Sequence, residues 1–380
     1  MKQAIMFGGG NIGRGFIGLL LEQAGYHVLF ADVNQALLDA INTRGEYTVH
    51  IVDENCEDVV VRNVSAMSSI SPELAQEFVK SELVTTAVGL TILPRIAGAM
   101  AAGITARREA GVKEAMNIIA CENAIKASSQ LKKHVYDRLS DEDKAYADEY
   151  VGFPDCVVDR IVPPFRSENI TDVMVERHSE WDVERTGIKG DFNGIPGMEI
   201  VDKLDAYLER KLFGFNGPHC ITACLGCVKG HDTIRNAIED PEILKVVTGV
   251  MSECSAMLCK RHGFAPEAMA AYSASTVNRF RNPYLVDEVK RVAREPMRKL
   301  APSDRLIGPM SLAIEYGLSV DNYAVGVAAA LLYDNPEDPQ SVQLQALIAE
   351  KGVAAALEEI TGITGEPAEK VLAAYNAMKH

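Results

Sequence analysis

The sequence lacks any hydrophobic run long enough to cross a membrane. Its longest apolar run, from Tyr323 to Tyr333, is shorter than the roughly 20 residues that a spanning helix needs. It also lacks an excess of positive charge, since the formal net charge is −15 at pH 7, and we therefore expect neither nucleic acid nor a membrane surface as a partner. The first predicted strand starts within a few residues of Met1 and leaves no room for a signal peptide, so we expect a cytoplasmic protein.

Cysteines are few, and their spacing does not suggest a disulfide framework: the 380 residues include eight. Cys224 and Cys227 match the CxxC pattern, which makes a zinc site an alternative. However, Cys220, Cys224 and Cys227 lie at positions i, i+4 and i+7, which is the spacing of one helix face. No second CxxC or HxxxH motif completes a metal site, so buried thiols along a helix are the preferred interpretation and no metal is expected.

The N-terminus carries a glycine-rich turn between a strand and a helix. Ala4–Phe7 predicts a short buried strand, and Gly8–Gly13 then fits the pattern GxGxxG. A helical pattern follows and ends at Gly25, and a second predicted strand ends in Asp32. These elements occur in the order of a dinucleotide-binding unit, which is a strand, a glycine-rich turn, a helix, a second strand and an acidic residue. The alternative is a glycine-rich turn in another kind of α/β domain.

The chemistry of this turn favours NAD. Its glycines allow a tight turn, let a pyrophosphate approach the backbone and let the helix pack closely on the strand, while the helix N-terminus attracts the anion. A carboxylate at Asp32 would bind a ribose 2′-hydroxyl and repel a 2′-phosphate, which favours NAD over NADP. The residues expected to bind NAD lie in this turn, in the first strand and at the ends of later strands: Ile5, Phe7, Gly8, Gly9, Gly10, Asn11, Ile12, Gly13, Asp32, Thr86, Val88 and Asn123.

The chain length predicts two domains. Candidate strands at 58–61, 83–88, 117–121 and 157–161 alternate with helical patterns, which predicts an α/β class with a Rossmann-type doubly wound parallel sheet over residues 1–196. The stretch 168–196 is less regular and is interpreted as extra strands. Residues 197–380 are predicted to form a mostly helical substrate domain, with helices at 203–213, 218–238, 241–262, 266–278, 284–296, 308–317, 323–333, 339–350 and 352–360.

A lysine on an apolar helix face is the strongest sign of catalysis. One predicted helix carries apolar residues at spacings of three, four and eight: Leu204, Tyr207, Leu208 and Leu212. Lys211 lies along the same face, where loss of hydration would bring its pKa toward neutrality and make it a general base. Asn216 and His219 follow within two turns, and both can hydrogen-bond a substrate oxygen. The alternative is that Lys211 extends to water at the helix end.

Polar residues at later strands complete the candidate site. Asn123 can donate a hydrogen bond to a developing alkoxide, or it can be the N-cap of a helix that begins at Ala124. Asp159 can bind substrate and orient Lys211 or Arg160, or it can form a structural ion pair.

The segment 279–305 is basic in an otherwise acidic chain. It contains eight positive and four negative side chains, a net charge of +4. Arginine suits phosphate recognition, and Arg279 and Arg281 stand where a predicted helix ends, so we predict that they bind an anionic substrate. A solvated helix face is the alternative for most of the segment.

Together these residues resemble the polyol-specific long-chain dehydrogenases. Lys211, Asn216 and His219 fit that family's K-x4-N-x2-H signature. Four further segments, found in the family's order over nearly the whole chain, are also similar: Gly8–Gly18, Cys121–Asn123, Val158–Ile161 and Asn278–Pro283. The compact length and the overall sequence resemble the members that interconvert D-mannitol 1-phosphate and D-fructose 6-phosphate with NAD.

The resemblance implies a metal-free hydride transfer. It implies that Lys211 is the general base, that Asn216 and Asn123 polarise the reacting oxygen, and that His219 binds a substrate hydroxyl. Glu122 stands where some members carry Asp, a minor departure. The expected ligand is a phosphorylated polyol or ketose, and the expected state is a monomer or small homo-oligomer. The assignment of Arg279 or Arg281 to the phosphate is our inference from the basic segment.

Three alternatives remain at this point. A related polyol or uronate oxidoreductase would act on an unphosphorylated substrate. A non-catalytic NAD-binding regulator would keep Gly8–Gly13 and Asp32 but would not need Lys211 followed by Asn and His. A zinc-dependent alcohol dehydrogenase would use the cysteines, and metal analysis would identify it.

Overall fold

Two units make up the chain in the computed structural model, which describes residues 2–163 and 165–379. The first unit ends at Tyr207 and the second begins at Leu208. The strands, all in the first unit, are β1 (Gln3–Phe7), β2 (His27–Asp32), β3 (Tyr47–Val52), β4 (Glu57–Val61), β5 (Val64–Ser68), β6 (Ser81–Thr86), β7 (Met116–Ala120), β8 (Val151–Gly152), β9 (Cys156–Asp159), β10 (Val173–Glu176), β11 (Glu180–Glu184) and β12 (Glu199–Val201).

A six-stranded sheet with the order β5-β2-β1-β6-β7-β8 organises the first unit, and all its pairings are parallel. Its strands are buried on both faces: Ala4 and Met6 of β1 point into one core cluster, while Ile5 and Phe7 point into the other. Near-continuous apolar strands are what a parallel sheet covered on both faces requires. The covering helices are α1 (Leu19–Gln23), α2 (Gln35–Arg44), α3 (Leu74–Lys80), α4 (Leu93–Glu109), α5 (Ala127–Tyr136) and α6 (Asp141–Tyr150).

Two predicted strands lie outside the parallel sheet, which corrects the expectation from sequence. The strand predicted at 58–61 is β4, which pairs antiparallel with β3 in a separate sheet of order β10-β3-β4. The strand predicted at 157–161 is β9, which pairs antiparallel with β11 in a third sheet of order β12-β11-β9. A short apolar run predicts a strand but not its partner, because pairing depends on residues distant in sequence.

The division between units falls later than the predicted boundary at residue 196. β12 pairs with β11 of the first unit, so the chain remains in that unit's sheets through Val201. The next helix, α7 (Leu204–Lys211), begins in the first unit and ends in the second.

The second unit is helical. After a π-helical turn over Leu212–Asn216 its helices are α8 (Gly217–Lys229), α9 (Ile234–Glu239), α10 (Pro241–His262), α11 (Pro266–Arg281), α12 (Val289–Ala293), α13 (Pro296–Lys299), α14 (Ile307–Glu315), α15 (Asp321–Leu332), α16 (Pro339–Lys351), α17 (Val353–Thr361) and α18 (Gly365–Met378). The predicted α/β class, with a Rossmann-type sheet followed by a mostly helical part, is confirmed.

Two predicted helices are each divided in the structure. The pattern over 218–238 forms α8 and α9, because Gly230 ends α8 in a left-handed conformation with φ of 77°. The pattern over 284–296 forms only α12 before Pro296 starts α13. Helix α18 was not predicted.

The long apolar run of the sequence forms α15 in the core of the second unit. Tyr323 and Val327 are fully buried, and a Cβ atom on Gly326 would lie only 2.6 Å from the side chain of Ile221 on α8. The small residue therefore permits the two helices to approach closely. In the described part of the chain, no helix combines the length and the apolar character that a membrane crossing demands.

Candidate active site

The glycine-rich turn after β1 is shaped by close backbone approaches. Gly8 has φ of 93°, and a Cβ atom there would collide with the carbonyl of Ala87, while a Cβ on Gly13 would collide with the carbonyl of Gly8. A Cβ on Gly10 would meet nothing within 4 Å, and Gly10 and Asn11 are exposed at the start of the helical backbone. Two glycines thus allow the turn, and the third leaves open space where a pyrophosphate could approach the backbone.

Asp32 is hydrogen-bonded to the backbone of this turn. One carboxylate oxygen accepts a hydrogen bond of 2.6 Å from the N–H of Gly9, and the other accepts from the N–H groups of Val33 and Asn34 at 2.7 and 2.9 Å. The side chain is half-buried at the end of β2. Asp32 therefore stabilises the glycine turn from the end of β2, and its contact with a cofactor ribose stays a prediction.

An arginine that was not predicted also holds the turn. Arg14 is buried, its Nε donates to the carbonyl of Thr171 at 2.8 Å, and its Nη1 donates to the carbonyl of Gly9. Burial lowers its pKa from the ordinary arginine value. In the sequence, only its position directly after Gly13 could have indicated that Arg14 contacts the turn.

Some predicted cofactor residues face the protein interior. Ile5 and Phe7 are fully buried in the core, so only their backbone atoms remain for a bound molecule. Thr86 is also fully buried, and its hydroxyl donates to the carboxylate of Glu122 at 2.6 Å. Val88 is half-buried in the loop after β6, next to the glycine turn. The binding roles of these residues stay predictions.

Glu122 organises the loop after β6. Its carboxylate, which is 6% exposed, accepts hydrogen bonds from the N–H groups of Val88 and Gly89, both at 2.9 Å, in addition to the Thr86 hydroxyl. A charged acceptor thereby replaces water for the backbone donors of this loop. The sequence showed Glu122 only as a small departure from the family pattern.

Asn123 follows Glu122 and is exposed at the end of β7. The N-cap alternative is wrong, because α5 begins only at Ala127 and is preceded by Lys126 in a left-handed conformation with φ of 53°. Asn123 therefore does not serve as the cap of that helix, and its proposed contact with substrate stays open.

Asp159 lies beside a histidine. It is buried at the end of β9, and its Oδ2 is 3.7 Å from Nε2 of His178. Asp159, His178 and Glu180 offer ligand atoms within 4.8 Å of one another, and in the described ranges no other group of three such residues could hold a metal ion. The prediction that the enzyme needs no metal therefore requires a direct test.

Arg160 donates to two backbone carbonyls. Its Nε donates to the carbonyl of Glu176 at 2.9 Å, and its Nη1 donates to that of Gly15 at 3.1 Å. Burial lowers its pKa to about 10. These contacts fix Arg160 behind the glycine-rich segment.

The K-x4-N-x2-H motif spans three consecutive helical segments. Lys211 ends α7, Asn216 ends the π-helical turn, and His219 lies in the first turn of α8. The N–H of Gly217 donates to the carbonyl of Leu212, five residues earlier, which is the π-helical register. In a straight α-helix, positions five apart would diverge by about 140° around the axis. The wider π-helical turn reduces this divergence between Lys211 and Asn216, and His219 follows three positions after Asn216.

The apolar face predicted around Lys211 is only partly buried. Leu204 is buried, but Tyr207, Leu208 and Lys211 are half-buried. The helix is as predicted through Lys211, while complete enclosure of the lysine by its own helix face is not found.

His219 is neutral, and its ring contacts two aromatic side chains and a carboxylate. Its ring stacks on Phe280 with 5.0 Å between centroids, and Phe215 lies 5.6 Å away. Burial, together with the charges of four basic side chains, lowers its pKa to about 3; these are Arg291, Arg279, Lys299 and Arg305. Nε2 is 3.0 Å from a carboxylate oxygen of Asp287. A neutral ring that donates from Nε2 keeps Nδ1 as an acceptor, the form able to bind a substrate hydroxyl.

Within the basic segment 279–305, the two arginines predicted to bind substrate differ in burial. Arg279 is buried with its guanidinium carbon 3.9 Å from the ring centre of Phe215, which lies within the K-x4-N-x2-H motif. Arg281 is exposed, and its predicted contact with the substrate stays a prediction. Sequence reasoning missed the importance of Asp287, Arg291, Lys299 and Arg305, which it recorded only as part of a charge count.

The cysteines of α8 pack as predicted. Cys220 and Cys224 are buried with their sulfur atoms 4.0 Å apart, and Cys227 is half-buried. They line one side of the helix that carries His219.

Comparison with known proteins covers both units. A family model described as the mannitol dehydrogenase Rossmann domain matches residues 2–195, and one described as the mannitol dehydrogenase C-terminal domain matches residues 203–379. The structure of Pseudomonas fluorescens mannitol 2-dehydrogenase, a ternary complex with NAD and D-mannitol, matches with a TM-score of 0.69 and 17% identity, covering 100% of this chain and 92% of that one. A substrate-free D-sorbitol dehydrogenase matches with a TM-score of 0.83 and 16% identity, covering 99% and 93%. At these identities the two structures show a shared fold.

Proposed function

The chain belongs to the mannitol dehydrogenase family, and on that premise we propose that it catalyses the mannitol-1-phosphate 5-dehydrogenase reaction. It is an oxidoreductase of the CH–OH group of a polyol with NAD as cofactor. The substrate pair that we propose is D-mannitol 1-phosphate and D-fructose 6-phosphate.

The observation that carries the phosphorylated substrate is the charge around His219. The charges of four basic side chains act on this residue, whereas Asp287, which contacts His219, and Asp304, which is paired with Arg305, supply two negative charges. A binding site for a neutral polyol does not need an excess of positive charge, because the hydroxyl groups of a polyol are bound well by uncharged donors and acceptors. A phosphate monoester carries a charge of about −1.5 to −2 at pH 7 and is recognised by arginine.

Residues of the glycine turn would hold NAD. The open space over Gly10 and the carboxylate of Asp32 fit its pyrophosphate and ribose, respectively. When bound, NAD accepts the hydride that leaves carbon 5 of the polyol. The chain itself must then supply the base, the oxygen-polarising groups and the substrate contacts.

Lys211 is the proposed general base. In its neutral form it takes the proton of the carbon 5 hydroxyl, and in the reverse direction its protonated form returns that proton to the carbonyl oxygen of the ketose. Asn216 and Asn123 are proposed to donate hydrogen bonds to the same oxygen as negative charge develops. His219 accepts a hydrogen bond from a neighbouring hydroxyl, and Asp159 and Arg279 are proposed as further substrate contacts.

The test is NADH oxidation by the purified protein with fructose 6-phosphate or with fructose, each with and without a chelator. Rapid oxidation only with the phosphorylated sugar, unchanged by chelator, supports the proposal. Loss of activity with chelator, restored by one divalent metal, would instead assign a metal role to the group of Asp159, His178 and Glu180.

A second candidate is oxidation of an unphosphorylated polyol. The proteins of similar fold are described as acting on mannitol and on sorbitol, which favours this alternative. Oxidation of NADH with fructose alone would support it over the phosphorylated substrate.

A further inference from the structure

Arg305 lies beside the catalytic motif in the second unit. A Cβ atom on Gly217 would be 2.7 Å from the carbonyl oxygen of Arg305, so the backbone of Arg305 packs against the first residue of α8. Gly217 follows Asn216 directly and stands two positions before His219. The segment that precedes α14 therefore places the backbone of Arg305 next to the motif.

The side chain of Arg305 has unused donors in a mostly enclosed place. It is 18% exposed, and its Nε donates to Oδ1 of Asp304 at 2.8 Å. Neither Nη1 nor Nη2 reaches an acceptor in the part of the chain that the structure describes. Asp304 is also shared with Arg298, whose Nη1 is 3.3 Å from Oδ2. An arginine offers its terminal nitrogens as a planar fork, which matches the oxygens of a phosphate.

The surrounding charge is suited to a dianion. The positive charges of four side chains act on His219, namely those of Arg279, Arg291, Lys299 and Arg305. Asp287, which is paired with Arg291, and Asp304 supply two negative charges, so this group has a net charge of +2 (four minus two). Lys299 is buried and donates to the carbonyl of Val292, which leaves the fork of Arg305 as the better-placed free donor.

We propose that the terminal guanidinium nitrogens of Arg305 bind the phosphate of the sugar substrate in an anion subsite beside His219. This inference rests on the proposed function and names a different principal phosphate ligand from Arg281. Arg279 and Arg291 contribute charge to the subsite, and Asp304 positions the Arg305 fork.

The experiment compares Arg305→Gln, Arg305→Lys and Lys290→Gln with the unmodified protein. Lys290 is the control, because it is an exposed cation of the same basic segment without a side-chain hydrogen bond or ion pair to any described residue. We expect kcat/KM for fructose 6-phosphate to fall about 10- to 100-fold in Arg305→Gln, mostly through KM, since one charged hydrogen-bonding partner of the phosphate is lost. Arg305→Lys should recover part of this loss, and Lys290→Gln should stay within about two-fold of the original.

Inorganic phosphate provides a second readout, because it probes the anion subsite without contacts to the sugar. It should inhibit the unmodified enzyme competitively with fructose 6-phosphate, and its inhibition constant should rise at least about ten-fold in Arg305→Gln. If the enzyme reduces fructose 6-phosphate and Arg305→Gln behaves like Lys290→Gln in both measurements, the subsite assignment is overturned while the function stands. If the unmodified enzyme reduces only fructose, the function and the assignment both fail.

Discussion

The loop after β6 depends on one buried carboxylate, and this dependence can be measured. Glu122 accepts from the Thr86 hydroxyl and from the N–H groups of Val88 and Gly89. In Glu122→Gln one oxygen remains as an acceptor, while the amide nitrogen faces an N–H donor that it cannot satisfy. Loss of one hydrogen bond to a charged group costs about 1.5–3 kcal/mol, because a part-buried donor is left without a partner.

This cost should appear in both stability and cofactor affinity. A loss of about 1.5–3 kcal/mol in a unit of this size lowers the melting temperature by roughly 3–12 °C. Since the loop borders the glycine turn, the affinity for NADH should fall as well. Differential scanning fluorimetry and a fluorescence titration with NADH measure the two effects.

The control is Glu54→Gln, which alters an exposed glutamate of the same unit. It should melt within about 1 °C of the original protein, because exposed substitutions rarely change stability by more than about 0.5 kcal/mol. A Glu122→Gln protein that melts like this control and binds NADH normally would refute the reasoning, and the three hydrogen bonds would then be of little consequence.

Three further predictions concern the catalytic motif. Lys211→Ala should lower kcat by about 10²- to 10⁴-fold while NADH binding is unchanged; a variant that keeps most of its turnover would exclude Lys211 as the base. Asp287→Ala should free Nε2 of His219 and lower kcat/KM about ten-fold, and ¹⁵N NMR of the imidazole should show a changed tautomer, whereas an unchanged tautomer would contradict the positioning role. The pKa of His219 is about 3 in the folded state, below its unfolded value of about 6.5, so the unfolded chain binds the extra proton between these values. The free energy of unfolding should therefore decrease as the pH falls through that window, with a smaller slope in His219→Gln; equal slopes would argue against a neutral buried ring.

Much of the first unit followed from local sequence. The strand β1, the turn Gly8–Gly13 and the acid at Asp32 were predicted in their observed places, because buried strands and tight turns have strong local requirements. The helical character of the second part was predicted as well, since 3.6-residue periodicity is readable over long segments. The strands β3 and β5 and the antiparallel pairing of β4 and β9 were not, because partners are chosen by contacts between distant residues.

The sequence by itself identified the residues that we propose for cofactor binding and catalysis: the glycine turn, Asp32 and the motif Lys211, Asn216 and His219. Only the tertiary structure decided how they are arranged. A π-helical turn lies between Lys211 and Asn216 and reduces their divergence around the helix axis, and a spacing of five residues cannot show this, because the same spacing in an α-helix turns the side chains apart. Folding also brings Asp287 to His219 across nearly seventy positions of sequence, and it lowers the pKa of the histidine by burial among cations that a charge count could not place.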